Sequence, residues 1–376
     1  MRVTPAKSVT TLQSDRDSDV FETISREQIS RYLSEVLRDE AQVISLTRLG
    51  KGVLGLAYLI EVVLGGKKQK VVLKSANSSG FGQDYPSDRA DTLLYACSVY
   101  NKLPKHVRAF DVGAVTKRGD LRRLGDTGEF FLLMDYVEGQ EYAKDLDRIR
   151  EQNKTQELDF ERVRLLADYM AQIHSVRHDD PGLYLRRIRD LIGRGDCITG
   201  IIDSYPKDDR TYSFTSDEEL EQIEKKCIEW RWRIKDKAIR LCQVHGDLHP
   251  FNILWQGPSK FILLDRSRGE WGEAADDVSC LSINYIFWSL TGFGRLTEPF
   301  KTLFNTLFAR YLDHTRDEEL LRVIQPFFAF RSLVIANPLF YPAISSENRR
   351  RIFDFMIAVL ESDVFDYRDI DSYLQG

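Results

Sequence analysis

Lys74 closes an apolar stretch, and far downstream lie His245-Gly-Asp-Leu-His-Pro-Phe-Asn252 and Leu263-Leu-Asp265. Between them they supply a cation, a base carboxylate and two oxygen ligands for a divalent ion. Transfer of a phosphoryl group from a nucleotide to a hydroxyl needs that set, because its catalysis is mostly positioning and charge neutralisation. Each part alone is commonplace, since an Asp at a strand end is usually a turn or capping residue. The combination is long and constrained, and it carries the signal.

The flanking sequence predicts how these residues are held. Leu241–Val244 reads as a short strand running into the loop, and Pro250, which lacks an N–H and restricts His249, keeps that loop from becoming helical. Ile253–Gln256 and Phe261–Leu264 are apolar runs of strand length separated by Gly257-Pro-Ser-Lys260, so they predict a β-hairpin. Centred between Pro258 and Ser259, that hairpin places Asn252 directly opposite Asp265. Their Cβ atoms would then lie about 4.5–5.5 Å apart. Two such oxygens can share one Mg²⁺, a hard cation that keeps some of its waters. Asp247, at the other end of the loop, is left to take a proton from an acceptor hydroxyl.

The nucleotide half is expected near the N-terminus. Gln42–Arg48 reads as a strand and leads into Gly50-x-Gly52-x-x-Gly55. Dinucleotide-binding folds use the same glycine spacing but follow it with a helix. Here Leu56–Leu64 is rich in β-formers, Gly65-Gly66 makes a turn, and Gln69–Lys74 is another strand. Gly50, Gly52 and Gly55 therefore read as a flap whose backbone approaches phosphates without a Cβ in the way. Lys74 is expected to pair with the α- and β-phosphates. The following helix, Ser87–Lys102, holds no Glu to partner that lysine; Asp88 and Asp91 are its acids.

The five-residue interval from Asp247 to Asn252 matches the Asp and Asn of the kinase catalytic loop. The segment resembles the catalytic motif of the aminoglycoside phosphotransferase and choline kinase superfamily. That resemblance implies an α+β, protein-kinase-like bilobal fold, with a small antiparallel β-sheet N-lobe and a larger, mainly helical C-lobe. It implies Asp247 as catalytic base, Asn252 and Asp265 as ligands of Mg²⁺, and Asp277 as a structural brace for the loop. His174 matches a position that usually packs. Phe130–Met134 reads as an apolar strand, and with Asp135–Gly139 it resembles the crossing between lobes, where the backbone around Met134 and Tyr136 meets the adenine. Backbone contacts leave ATP against GTP open. The chain departs from the family pattern at Arg266-Ser-Arg268. These arginines either contact phosphate or an anionic acceptor, or form ion pairs with Glu270 or Glu273. Trp271, Tyr285 and Trp288 either line an acceptor pocket or belong to the core.

At 376 residues with 43% hydrophobic content the chain is long enough for two lobes sharing a cleft. Residues 1–22 read as a flexible segment, 23–138 as the nucleotide-binding lobe and 139–376 as the helical lobe with the catalytic loop. Ser25-Arg-Glu-Gln28 predicts a capping box opening a helix to about Arg38, and Phe160–Ser175 has helical apolar spacing. A net charge of −5 with interspersed signs and no basic arm argues against a nucleic-acid partner. Five scattered cysteines without C-x-x-C, no apolar leader and no run of membrane-spanning length point to a cytoplasmic protein. The expected activity is Mg²⁺-dependent transfer of the γ-phosphoryl group of ATP, or GTP, to a small-molecule hydroxyl. The acceptor is an aminoglycoside, a sugar-like metabolite or an amino alcohol. The alternative is a kinase-fold module that binds nucleotide or a partner without transfer. Protein-kinase activity is a weaker third reading, since no A-P-E-like segment follows Asp265.

Overall fold

The computed structural model describes residues 24–52, 55–76, 82–102, 104–130, 132–266 and 268–374. The predicted flexible segment, residues 1–22, lies outside them. The chain divides into two compact units, Met1–Met134 and Asp135–Gly376.

In the first unit, α1 (Arg26–Leu37) begins at the expected capping box. The Ser25 hydroxyl accepts the Gln28 N–H at 3.2 Å and the Gln28 side chain accepts the Ser25 N–H at 2.8 Å. Ser25→Ala removes one of these acceptors and is expected to cost about 1 kcal/mol, read as a lower urea midpoint at unchanged slope. Three antiparallel strands follow, β1 (Ala41–Gly52), β2 (Gly55–Leu64) and β3 (Lys67–Ala76), in the order β1-β2-β3. Alternate residues Tyr58, Ile60 and Val62 of β2 are buried. Ile60 and Val62 join Ile29 and Leu33 of α1 in one apolar cluster with Ala41 and Val43. The two-residue turn Gly65-Gly66 has φ of +53° and +81°, so glycine suits it as in primed hairpin turns. The strand–glycines–strand–turn–strand order agrees with the sequence reading. Then come α2 (Pro86–Tyr100) and a small pair, β4 (Gly113–Val115) with β5 (Leu121–Arg123).

The described residues of the expected strand Phe130–Met134 form none. No strand forms over 132–139, and Leu132, Leu133, Met134 and Tyr136 are all exposed. An apolar run becomes a strand only where a neighbour offers a ladder, and no neighbouring strand pairs with these described residues.

The second unit is mainly helical. A short strand β6 (Gln140–Glu141) leads into α3 (Tyr142–Gln152), α4 (Glu157–His174), α5 (Pro181–Gly193), α6 (Ile198–Asp203), α7 (Asp209–Tyr212) and α8 (Asp217–Ile234). Four short strands follow: β7 (Leu241–Gln243), β8 (Ile253–Trp255), β9 (Phe261–Leu263) and β10 (Trp271–Glu273). Helices α9 (Ala274–Phe293), α10 (Glu298–Thr315), α11 (Gln325–Ala336) and α12 (Ser346–Glu361) complete it. Packed aromatics such as Phe304, Phe308, Phe328, Phe355 and Phe365 fill its core. A small antiparallel sheet in one unit and helices in the other agree with the expected fold class. Among the described residues no helix is long and apolar enough to cross a membrane.

Candidate active site

The loop after β7 is built around one glycine and one buried carboxylate. Gly246 has φ of +85°, and a Cβ there would meet the Cβ of Arg268 at 3.0 Å, so the middle residue of His-Gly-Asp must be glycine. Asp277, in the first turn of α9, is fully buried. Its carboxylate accepts the backbone N–H of His245 at 2.8 Å and of Gly246 at 2.7 Å, and meets His174 Nε2 at 3.1 Å. Burial alone would raise the Asp277 pKa, but His174 and the two N–H groups outweigh it and hold the carboxyl below its ordinary value. His174 is fixed in turn by the Tyr311 hydroxyl at 2.9 Å. Asp277→Asn keeps one acceptor oxygen and strands one N–H, so a loss of about 1–3 kcal/mol is expected in chemical denaturation.

His245 fastens the loop to the strand that precedes Asp265. Its Nε2 bonds the Leu264 carbonyl at 2.8 Å, which makes that nitrogen the donor, and its Nδ1 accepts the Asp247 N–H at 3.3 Å. The Asn252 amide nitrogen donates to the Asp247 carbonyl at 3.0 Å. That bond leaves the Asn252 side-chain oxygen as the atom available to a cation.

The hairpin forms, with a register one residue from the expected one. Ile253 pairs with Leu263 and Trp255 with Phe261, and the Leu264 N–H donates to the Asn252 carbonyl at 2.9 Å. Asn252 thus falls opposite Leu264 rather than Asp265, because Gly257, Pro258 and Ser259 form a three-residue loop closed by Gln256 and Lys260. A one-residue slip changes the face a side chain takes. Asp265 lies past the end of β9 and has a φ of +51°, so its side chain is not aimed by the strand pleat. Two oxygen donors flanking the loop suit a hard cation that retains waters. Among the described residues no three His, Cys, Asp or Glu side chains cluster as a self-sufficient metal site.

A residue outside the sequence reading controls Asp247. Arg331 of α11 donates from Nη1 to Asp247 Oδ1 at 2.6 Å. Its Nη2 donates to the Gly246 carbonyl at 2.8 Å and to Asp276 Oδ1 at 2.5 Å. Burial pushes the Asp247 pKa up, but Arg331, then Arg268 and His249, overcome it and hold the carboxyl below its usual value. Asp247 is therefore held as an ionised carboxylate. Its signal in the sequence was a lone charge inside the apolar run Pro326–Val334, a pattern that needs a buried partner.

The other candidates resolve individually. Arg266 bonds the backbone carbonyls of Val244 and Glu270, each at 3.0 Å, and so buttresses the loop instead of pairing with a Glu. Glu273 is occupied by Arg240 at 2.7 Å, and Arg240 also engages Asp317 at 2.7 Å. Tyr285 is buried with its hydroxyl on that of Tyr142, and Trp288 is buried with its indole N–H on Asp147, so both belong to the core. Trp271 is half-buried and stacks on His178 at 4.6 Å.

In the first unit, Gly52 pairs with Gly55 across the β1–β2 turn, Gly50 pairs with Ala57, and Lys74 of β3 pairs with the same Ala57 of β2. Lys74 is exposed and lines a cavity of about 590 Å³ with Asp111 and mainly apolar side chains of α1, β3 and α2. Its lining comes entirely from the first unit, whereas Asp247, Asp265 and Asp277 belong to the second. Asp88 caps α2 through the Tyr85 N–H at 2.7 Å.

Residues 46–293 match the phosphotransferase enzyme family. No curated protein gives a significant match. Among solved structures, an ethanolamine kinase from Plasmodium vivax is similar at 14% identity, covering 88% of this chain and 81% of that one, with a TM-score of 0.34. An amicoumacin kinase in complex with AMP-PNP and Ca²⁺ gives 14%, 86% and 91%, with a TM-score of 0.39. A choline kinase from Streptococcus pneumoniae gives 11%, 89% and 98%, with a TM-score of 0.34. Likeness at this level assigns no residue its role.

Proposed function

Because the chain belongs to the phosphotransferase enzyme family, we propose that it moves the γ-phosphoryl group of ATP to a hydroxyl of a small molecule, with Asp247 as the base. The observation that carries this reading is the Asp247 carboxylate, ionised by Arg331 and mounted on a loop pinned by Asp277. In the transfer, the bond from the γ-phosphorus to the ADP oxygen breaks and a bond to the acceptor oxygen forms. The acceptor's proton passes to Asp247. Asn252 and Asp265 would hold Mg²⁺, which neutralises charge on the phosphoryl group when bound. Lys74 supplies a further cation for the nucleotide phosphates, and the backbone at Gly50, Gly52 and Gly55 and around Met134 and Tyr136 is assigned to nucleotide binding. GTP is the other donor to compare.

Asp265→Ala removes a metal carboxylate and is expected to lower kcat by about 10²- to 10³-fold. Raised Mg²⁺ should restore part of that loss, as a titration of initial rate would register. The function itself is tested with γ-labelled ATP, Mg²⁺ and a small-molecule extract. Label on a soluble metabolite with the unmodified protein, and none with Asp247→Asn, supports transfer. Saturable ATP binding with no labelled metabolite would instead indicate a binding module.

A further inference from the structure

Resting on the phosphotransferase reading, we infer that the acceptor carries an anionic group, a carboxylate or a phosphate, bound by Arg268 beside Asp247. Of the three acids that a polycationic acceptor would seek, two are already paired with arginines and the third accepts an indole N–H. Asp276 is bonded to Arg331, Glu273 to Arg240, and the Glu270 carboxylate to the Trp271 indole N–H at 2.8 Å. The side chains whose nitrogens approach the Asp247 carboxylate are Arg331 at 2.6 Å, His249 at 3.8 Å and Arg268 at 3.9 Å. A quaternary or polyamine acceptor would have to dock against two guanidiniums.

Arg331 and Arg268 differ in how they are held. Arg331 is buried and its Nη atoms are filled by short bonds. Arg268 has its guanidinium 5.0 Å from the centre of the Phe330 ring, which places it without using its donors. Its Nη1 takes up the Asp196 carboxylate at 3.3 Å and the Asp196 carbonyl and Cys197 sulfur at 3.4 Å, while its Nε lies 3.9 Å from Asp247. A guanidinium offers five N–H donors in a fork that fits carboxylate or phosphate. Arg268 is thus an oriented cation with donors to spare, partly open to solvent at 21% side-chain exposure. Arg268, Gly246 and Phe330 also wall a cavity of about 50 Å³ together with Asp190, Glu273 and Asp276, each of which is paired with another arginine. One water needs roughly 10–15 Å³ on that measure. The space holds a group the size of a carboxylate or phosphate and not a sugar ring, and Gly246, the residue before Asp247, lines it.

The test separates a host-cell metabolite extract by charge into anionic, neutral and cationic fractions before adding the protein, γ-labelled ATP and Mg²⁺. Label transfer from the anionic fraction alone is expected. Alkaline phosphatase treatment of that fraction, followed by removal of the phosphatase, distinguishes the sources. Lost acceptor activity means a phosphate ester, and retained activity means a carboxylate. Arg268→Met is expected to raise the acceptor KM about 10- to 100-fold, the loss of a charge-assisted pair, with KM for ATP unchanged. Arg268→Lys keeps the charge and should raise it less. Transfer from the neutral or cationic fraction, or an unchanged acceptor KM in Arg268→Met, overturns the inference while leaving the kinase reading intact. No transfer from any fraction overturns both.

Discussion

Asp247→Asn is expected to lower kcat by about 10²- to 10⁴-fold, the usual worth of a positioned general base, while the dissociation constant for ATP changes little. The amide is nearly the same size as the carboxylate and can still meet Arg331 through its oxygen, so the loop has no reason to collapse. It cannot take the acceptor's proton. Stopped turnover with intact ATP binding, by calorimetry on the same sample, separates chemistry from folding. A kcat within a few-fold of the unmodified protein would remove Asp247 from the chemistry.

Arg331→Met is expected to be the most damaging single change to stability in the loop region, at about 3–5 kcal/mol. Removing one member of a buried charge network leaves the others uncompensated. Here Asp247 and Asp276 would face each other across the lost guanidinium, and the Gly246 carbonyl would lose its donor. Arg331→Lys restores the charge but not the planar fork that reaches three acceptors at once, so it should recover only part of the loss. Denaturant melts of the three proteins give the order directly. A Met variant as stable as the original would mean that the carboxylates find protons or water at no cost.

How much of this was legible in the sequence depended on the range of the interaction. The three-stranded sheet and its glycine turns were readable because turn residues and β-branched runs act locally. The capping box at Ser25 and Gln28 was readable for the same reason. The hairpin after Asn252 was predicted, but its register was missed by one residue, since Gly257-Pro-Ser-Lys260 admits loops of different length. The apolar run ending at Met134 looked like a strand because apolarity records burial or pairing without naming a partner. Arg331 lies 84 residues from Asp247; no spacing rule links them, and only the fold brings them together. Similarly, Arg266 read as either an anion-contacting or an ion-pairing residue, yet it serves two backbone carbonyls, a role that side-chain identity does not encode.

A phosphoryl group that moves to a hydroxyl leaves a phosphate monoester and ADP. The most direct measurement follows ³¹P resonances over time with the protein, ATP, Mg²⁺ and the acceptor-containing fraction. A new phosphate-monoester resonance growing in equal amount to ADP, and missing with Asp247→Asn, is the predicted result. ADP accompanied only by inorganic phosphate, or ATP left intact while still bound, would contradict it.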